Sequence, residues 1–188
     1  ILRFGTVKRS QYGDDQQEIV NLTTVVTDQG APPYKSLPNW FAFTMQQLDE
    51  YLPQLLSDEI PKGVSYTYGS RLRDFHGINQ ITNMIEQLKG TLYTRRAVSC
   101  LYDVPNDYLN PHAPCLNLVQ GLVQDDTLHS TFYVRSNDMY RGWPMNALAF
   151  NAVHHEIAQG VGIEAGDCII ISNSAHIYEP NWSDAQKI

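Results

Sequence analysis

The stretch Leu116–Val134 constrains this chain more than any other. Leu116–Val123 and Leu128–Val134 are two runs of strand-forming residues separated only by Gln124-Asp125-Asp126-Thr127. A break that short between two such runs reads as a hairpin. Directly before it, Ala113-Pro114-Cys115 sets a thiol between a proline-bearing loop and a strand, where it can project into a cleft. Directly after it, Arg135, Ser136, Asp138, Gly142 and Asn146 follow within twelve residues. Charge, hydroxyl, acid and amide at a strand–helix junction outline a site for an anion and a polar ring. A solvated loop explains the same residues equally well on these grounds.

Other segments fill in around this hairpin. Glu18–Thr27 is rich in β-branched residues and reads as a strand. Asp28–Pro38 is a turn-rich connection. Phe41–Leu56 has near-helical spacing, with Pro53 kinking or ending the helix. Ile78, Ile81, Ile85 and Leu88 share a helix face that stops at Gly90. Arg96–Tyr102 reads as a strand, and Pro144 starts a helix running to about Gln159, ended by Gly160 and Gly162. Cys168–Ser172 is a continuous apolar strand. The expectation is an α+β fold with long strands and about three helices. No repeat or linker divides the chain, so one domain over 1–188 is expected.

Charge and composition exclude several classes. The net charge of −7 and a pI near 5.2 argue against a nucleic-acid-binding surface. No apolar run approaches the ~18 residues of a membrane span, and no cleavable signal is visible, although a start at Ile1 reads as trimmed. Three cysteines without metal spacing support neither a disulfide framework nor zinc. A reducing cytoplasm is the default. Eight of the 13 basic residues are Arg, whose planar fork suits phosphate or carboxylate.

Local motifs have bland explanations. His154-His155-Glu156 lie on one helix about 100° apart and cannot share an ion as i, i+4 ligands do, so no metal is expected. Gly160-Val161-Gly162 follows a helix and reads as a C-cap, not a phosphate loop. Cys100 and Cys168 sit in strand-like apolar surroundings and read as buried structural thiols. Cys115 would be reactive if Arg95, Arg96 and Arg135 converge on it and favour the thiolate. His176 and Tyr178, after the apolar strand, alternate onto one face.

Five motifs in register resemble the thymidylate synthase family. They are the proline–cysteine loop, Arg135-Ser136-x-Asp138 through Gly142 and Pro144 to Asn146, Gly166-Asp167, Ala175-His176-Ile177-Tyr178, and the paired Arg95-Arg96 upstream. The resemblance is good over about 64–182 and poor over the first third. It implies a mixed twisted sheet covered by helices, with a sheet face used for dimerisation. It implies that Cys115 attacks carbon 6 of a pyrimidine nucleotide, making carbon 5 nucleophilic. By the same resemblance Arg135 and Ser136 hold the 5′-phosphate, with Arg135 lowering the thiol pKa, and Arg95 and Arg96 reach the phosphate of the other subunit. Arg9, in the polar Lys8–Asp15 loop, would be a further phosphate ligand. Asn146 would read the base and favour uracil, His176 and Tyr178 the sugar hydroxyl. Asp138 and Gly142 would hold the pterin, and Tyr68 would serve proton removal from carbon 5. The implied carbon donor is 5,10-methylene-tetrahydrofolate or a methylene-tetrahydromethanopterin-type analogue.

The chain also departs from that pattern. Leu116 follows the nucleophile where histidine is common, and Val134 stands before Arg135 in place of glutamine. The glutamate–tryptophan segment that assists proton transfer has no clear counterpart, with Glu50 and Glu59 as possible substitutes. Three readings follow: a deoxyuridylate methylase, a cytidylate or deoxycytidylate hydroxymethylase in which water captures the methylene intermediate, and a non-catalytic nucleotide-binding relative.

Overall fold

The computed structural model describes residues 1–27 and 30–188, so Asp28 and Gln29, at the start of the expected 28–38 connection, lie outside the described residues. The hairpin stands where expected. β4 (Leu116–Gln124) and β5 (Thr127–Val134) pair antiparallel across Asp125 and Asp126. Both turn residues have positive φ, 50° and 58°, as a two-residue turn matching the strand twist requires; aspartate tolerates that conformation better than most residues.

Around this pair lies a mixed seven-stranded sheet. It contains β1 (Thr6–Arg9), β2 (Asp15–Val26), β3 (Val98–Cys100), a two-residue β6 (Asn137–Asp138) and β7 (Glu164–Tyr178). The order is β1-β2-β7-β5-β4-β3, with β6 also on β7. β5 and β7 run parallel, and a parallel pair needs a crossover. α6 (Trp143–Val161) supplies it, with Pro144 in its first turn and Gly162 left-handed at its C-cap, φ 89°. Gly160 therefore lies within the helix, and Gly162 alone ends it.

α6 is buried along much of its length because it lies between the sheet and a layer of shorter helices. These are α1 (Met45–Tyr51), α2 (Pro53–Leu56), α3 (Tyr68–Arg73) and α4 (Gln80–Gly90). Phe150 of α6 stacks on Phe132 of β5 at 4.7 Å and 4°. Leu55, Leu72, Met84, Leu88, Val153, Ile157 and Ile170 complete one apolar core. Pro53 separates α1 from α2, as a residue without an N–H must.

Several expectations need correction. Short helices α3, α5 (Val104–Asp107) and α7 (Trp182–Ala185) add to the three expected. Lys8 and Arg9 are strand residues of a β1–β2 hairpin that turns at Ser10–Asp14, with the Ser10 N–H donating to Asp14 O at 2.8 Å. Ala175–Tyr178 belongs to β7 itself, where Glu18 and Gln16 of β2 pair with His176 and Tyr178. Only 98–100 of the 96–102 segment is strand. Cys168 is fully buried, but Cys100 is exposed: it ends edge strand β3, on the opposite side from buried Ser99.

Candidate active site

One cleft runs beside the loop that enters β4. Its first part is lined by Tyr51, Tyr66, Thr67, Tyr68 and His112. Its middle carries Tyr12, Tyr102, His112, Ala113 and Arg135. Its far part is polar and includes Arg9, Arg135, Ser136, Glu18, Ser174, His176 and Tyr178. Shared lining residues, His112 at one junction and Tyr12 and Arg135 at the other, make the three continuous.

Cys115 lies at the loop–strand junction, and Arg135 fixes that loop. The guanidinium donates through Nε to Pro114 O at 3.0 Å and through Nη2 to Ala113 O at 2.6 Å. The Arg135 N–H donates to Cys115 O at 2.8 Å. Burial pushes the thiol above its ordinary pKa, outweighing Arg135 and a hydrogen bond from Tyr68, which both pull it down. Arg135 thus acts on Cys115 in the expected direction without winning: at neutral pH the side chain rests as a thiol.

Tyr68 opens α3. The capping box of Thr67 and Ser70 fixes this short helix, and Thr67 Oγ1 accepts from Ser70 N–H at 2.9 Å. Gly69 packs so closely that an added Cβ would lie 2.0 Å from Ser57 O. Burial, then the neighbouring Cys115 and tyrosine charges, raise the Tyr68 phenol, while the Leu116 N–H bonded to it pulls the other way. Its O–H stays protonated next to the sulfur. Leu116 and Val134 are both fully buried and belong to the apolar core against which Cys115 packs.

The polar end is built by two strands. Glu18 forms an ion pair with Lys8 and accepts from the Ser174 hydroxyl. Burial raises its pKa, but Lys8, Ser174 and His176 together bring it below the usual carboxylate value. His176 Nδ1 stands 3.2 Å from both Ser174 O and Ser174 Oγ. A carbonyl only accepts, so Nδ1 carries the ring proton and Nε2 is left as an acceptor. Burial lowers the His176 pKa, keeping the ring neutral, and raises the Tyr178 phenol. Their rings meet edge-on at 4.8 Å. One acceptor and one donor side by side suit a single hydroxyl.

Asn146 lies in the first turns of α6. Its Oδ1 accepts from the Tyr51 hydroxyl at 2.6 Å. Asp138 pairs with His176 across β6–β7, and its Oδ1 accepts both the Tyr140 and Arg141 N–H, at 2.9 and 3.1 Å. The turn closes through the Gly142 N–H donating to Asp138 O at 2.9 Å. A Cβ at Gly142 would lie 3.1 Å from that oxygen.

The thymidylate synthase model of known families matches residues 34–188. The chain belongs to the thymidylate synthase family. It is 36% identical over 152 residues to a protein of Methanothermobacter thermautotrophicus, covering 81% of this chain and 68% of that one. With a Methanothermobacter marburgensis protein it shares 35% over 202 residues, covering 100% and 89%. Both carry the name "Putative thymidylate synthase". A "Thymidylate synthase" of Phytoplasma mali is 30% identical over 161 residues, covering 82% and 55%. The matched region begins thirty residues earlier than the motifs alone suggested.

The fold of this thymidylate synthase-like enzyme brings Tyr68, Arg135, Ser136, Arg9, His176 and Tyr178 to one cleft, with Cys115 beside it through its hydrogen bond to Tyr68 and Asn146 reached through Tyr51. It does not bring Arg95 and Arg96 there. Both are exposed between α4 and β3, and Arg96 lines a separate recess with Thr91 and Thr94. Glu50 and Glu59 are also exposed, and Glu50 accepts from Gln46 Nε2 at 2.9 Å on the outer face of α1. No carboxylate lines the tyrosine end of the cleft among the described residues. The next residue after Glu50, Tyr51, is the one turned inward. The helical pair His154–Glu156 is structural: the His154 ring bonds Ser130 Oγ at 2.8 Å and Gly166 O at 3.1 Å, while Glu156 takes two bonds from Arg73 at 2.7 and 2.6 Å.

Proposed function

We propose that this enzyme converts deoxyuridylate to thymidylate by reductive methylation at carbon 5. The observation that carries this reading is the seat of Cys115. Its sulfur stands beside the Tyr68 hydroxyl, on a loop clamped by an arginine that also lines the polar pocket. Arg135, Arg9 and Ser136 take the 5′-phosphate, with the guanidinium's remaining donors facing the anion. His176 Nε2 accepts from the sugar hydroxyl and Tyr178 donates to it. Asn146 presents Oδ1 and an amide N–H to the base.

Attack forms a bond from Cys115 sulfur to ring carbon 6, and the electron pair moves to carbon 5 and the neighbouring carbonyl. The thiol proton passes to solvent water as the bond forms, and the carbon–sulfur bond breaks again once carbon 5 has lost its own proton, which returns Cys115. Tyr68 remains a neutral hydroxyl beside the sulfur and serves the ordered water that later takes the carbon 5 proton. The Asp138 carboxylate, fixed by its own turn and followed by a close Gly142, fits the acceptor role toward a pterin ring. Methylene-tetrahydrofolate, or its methanopterin-type analogue, supplies both the carbon and the hydride. We place the working enzyme in the cytoplasm as a homodimer of single-domain chains spanning 1–188, with Arg95 and Arg96 serving the partner's phosphate.

Incubation with deoxyuridylate, deoxycytidylate and methylene-tetrahydrofolate, with products identified by mass, tests the reading. Thymidylate from deoxyuridylate, lost in Cys115→Ser, is expected. A hydroxymethyl product from deoxycytidylate would establish the hydroxymethylase instead, and absence of both adduct and product would leave a nucleotide-binding protein.

A further inference from the structure

We propose that Tyr51 is a positioning residue that sets the base preference of this enzyme by holding the Asn146 amide in one of its two orientations. The inference rests on the pyrimidine-nucleotide reading given above and goes beyond it by locating the choice of base outside the residue that touches the base.

The geometry begins with α1. Thr44 caps it, Tyr51 is its last residue, and Leu52 closes it directly before Pro53. Leu48 is buried under this short helix, and Tyr51, three residues on, projects from the same face into the cleft wall. Its hydroxyl is 2.6 Å from Asn146 Oδ1, and that is its hydrogen bond among the described residues. Cys115 and Tyr66 are its electrostatic neighbours. Burial keeps the phenol protonated far above neutral pH, so it remains an O–H donor throughout the working range.

A phenol hydroxyl has one proton to give. Given to Oδ1, it leaves Asn146 with an acceptor lone pair and two N–H donors. Toward a ring edge that is one acceptor beside one donor. Uracil answers with its N3–H and its O4 carbonyl. Cytosine offers the reverse, an unprotonated N3 and an amino group, and matches only if the amide turns over. Turning it would bring Nδ2 against the Tyr51 oxygen. The phenol would then have to accept, and its own proton would lose the partner it has. An unsatisfied buried donor is costly, enough for roughly a tenfold shift in an equilibrium or rate ratio. The preference for uracil therefore belongs in part to a residue on another helix.

Tyr51→Phe tests this. Removing one oxygen frees the amide to adopt both orientations with little change in volume. The readout is the ratio of kcat/KM for deoxyuridylate over deoxycytidylate, with covalent adduct yield from each nucleotide as a second measure. That ratio is expected to fall roughly tenfold, and to be flat with pH from 6 to 9 in the unmodified enzyme. Tyr34→Phe is the control. It deletes a half-buried hydroxyl that bonds the same helix, to Leu148 O at 2.7 Å, away from the cleft, and it should leave the ratio alone. An unchanged ratio in Tyr51→Phe, or an equal fall in Tyr34→Phe, would overturn the role of Tyr51 while leaving the methylase reading intact. Failure of the unmodified enzyme to bind or turn over either nucleotide would instead remove the reading on which it rests.

Discussion

At Cys115 two influences oppose each other, and burial prevails over Arg135. The guanidinium spends two of its donors on Pro114 O and Ala113 O, so its first effect is on loop posture and its second on charge. In the free enzyme, iodoacetamide alkylation followed peptide by peptide should be slow at Cys115 at pH 7. It should climb as pH passes 9, the ordinary thiol value from which burial shifts this group upward. Exposed Cys100 should react first. A Cys115 rate already at its plateau at pH 7 would contradict this account. His154 gives a second residue-scale expectation. Burial lowers its pKa from 6.5 to about 4, so between those values the unfolded chain binds a proton that the folded chain refuses. Stability is full above that window and falls as pH drops through it, by on the order of 3 kcal/mol. Urea unfolding between pH 7 and 4 should show that slope, and His154→Gln should flatten it.

Among the elements, α3 is the one whose placement depends on a missing side chain. Gly69 lets the helix approach the Ser57 carbonyl to a distance that no Cβ permits, and the neighbouring Tyr68 is set beside Cys115 by that approach. Gly69→Ala should destabilise by about 3 kcal/mol, the upper end of overpacking costs, and should lower activity further by displacing Tyr68. Thermal unfolding and turnover measured on the same variant check both, and an unshifted melting temperature would be incompatible with the packing described. Elements of this kind also explain what could be read from sequence. The β4–β5 hairpin and α6 were legible because their signals are local: alternation, a two-residue turn, an N-terminal proline and a left-handed glycine. β1 was not, since its four residues are all exposed and it becomes a strand only by pairing with β2. β7 was legible only over Cys168–Ser172, because Asn173 and Ser174 interrupt the pattern where the strand enters the cleft. In α1, seven residues give too little periodicity to decide whether Glu50 or Tyr51 faces inward. One step of about 100° separates them, and it separates an exposed carboxylate from a residue of the site.

For the whole molecule, the surplus of arginine divides in a telling way. Arg71 and Arg73 are committed to Asp107 and Glu156. Arg9 and Arg135 line the polar pocket, and Arg95 and Arg96 stand exposed elsewhere. α6 and the shorter helices α1, α2 and α4 that pack on it cover one side of the sheet. On its other side Val25, Ile169 and Thr131 form one cross-strand row, and Thr23, Ile171, Tyr133 and Leu118 the next. Val25 is 53% exposed there. β-branched residues left uncovered across the middle of a sheet are the chemistry of an isologous contact, in which each chain offers the other the same face. In the proposed homodimer Arg95 and Arg96 of one chain serve the phosphate pocket of its partner, and each site needs both chains. Mixing makes this testable. Cys115→Ser lacks the nucleophile, and an Arg95→Ala, Arg96→Ala double variant lacks only the donated arginines. Each alone should be inactive or nearly so. Unfolded and refolded together, they should regain activity, because every mixed dimer has one site with an intact Cys115 from one chain and intact arginines from the other. Ile171→Arg, placed at the centre of the uncovered face, should abolish that recovery and sediment as a monomer. Recovery without dimers, or dimers without recovery, would break the link between the uncovered face and the exposed arginines.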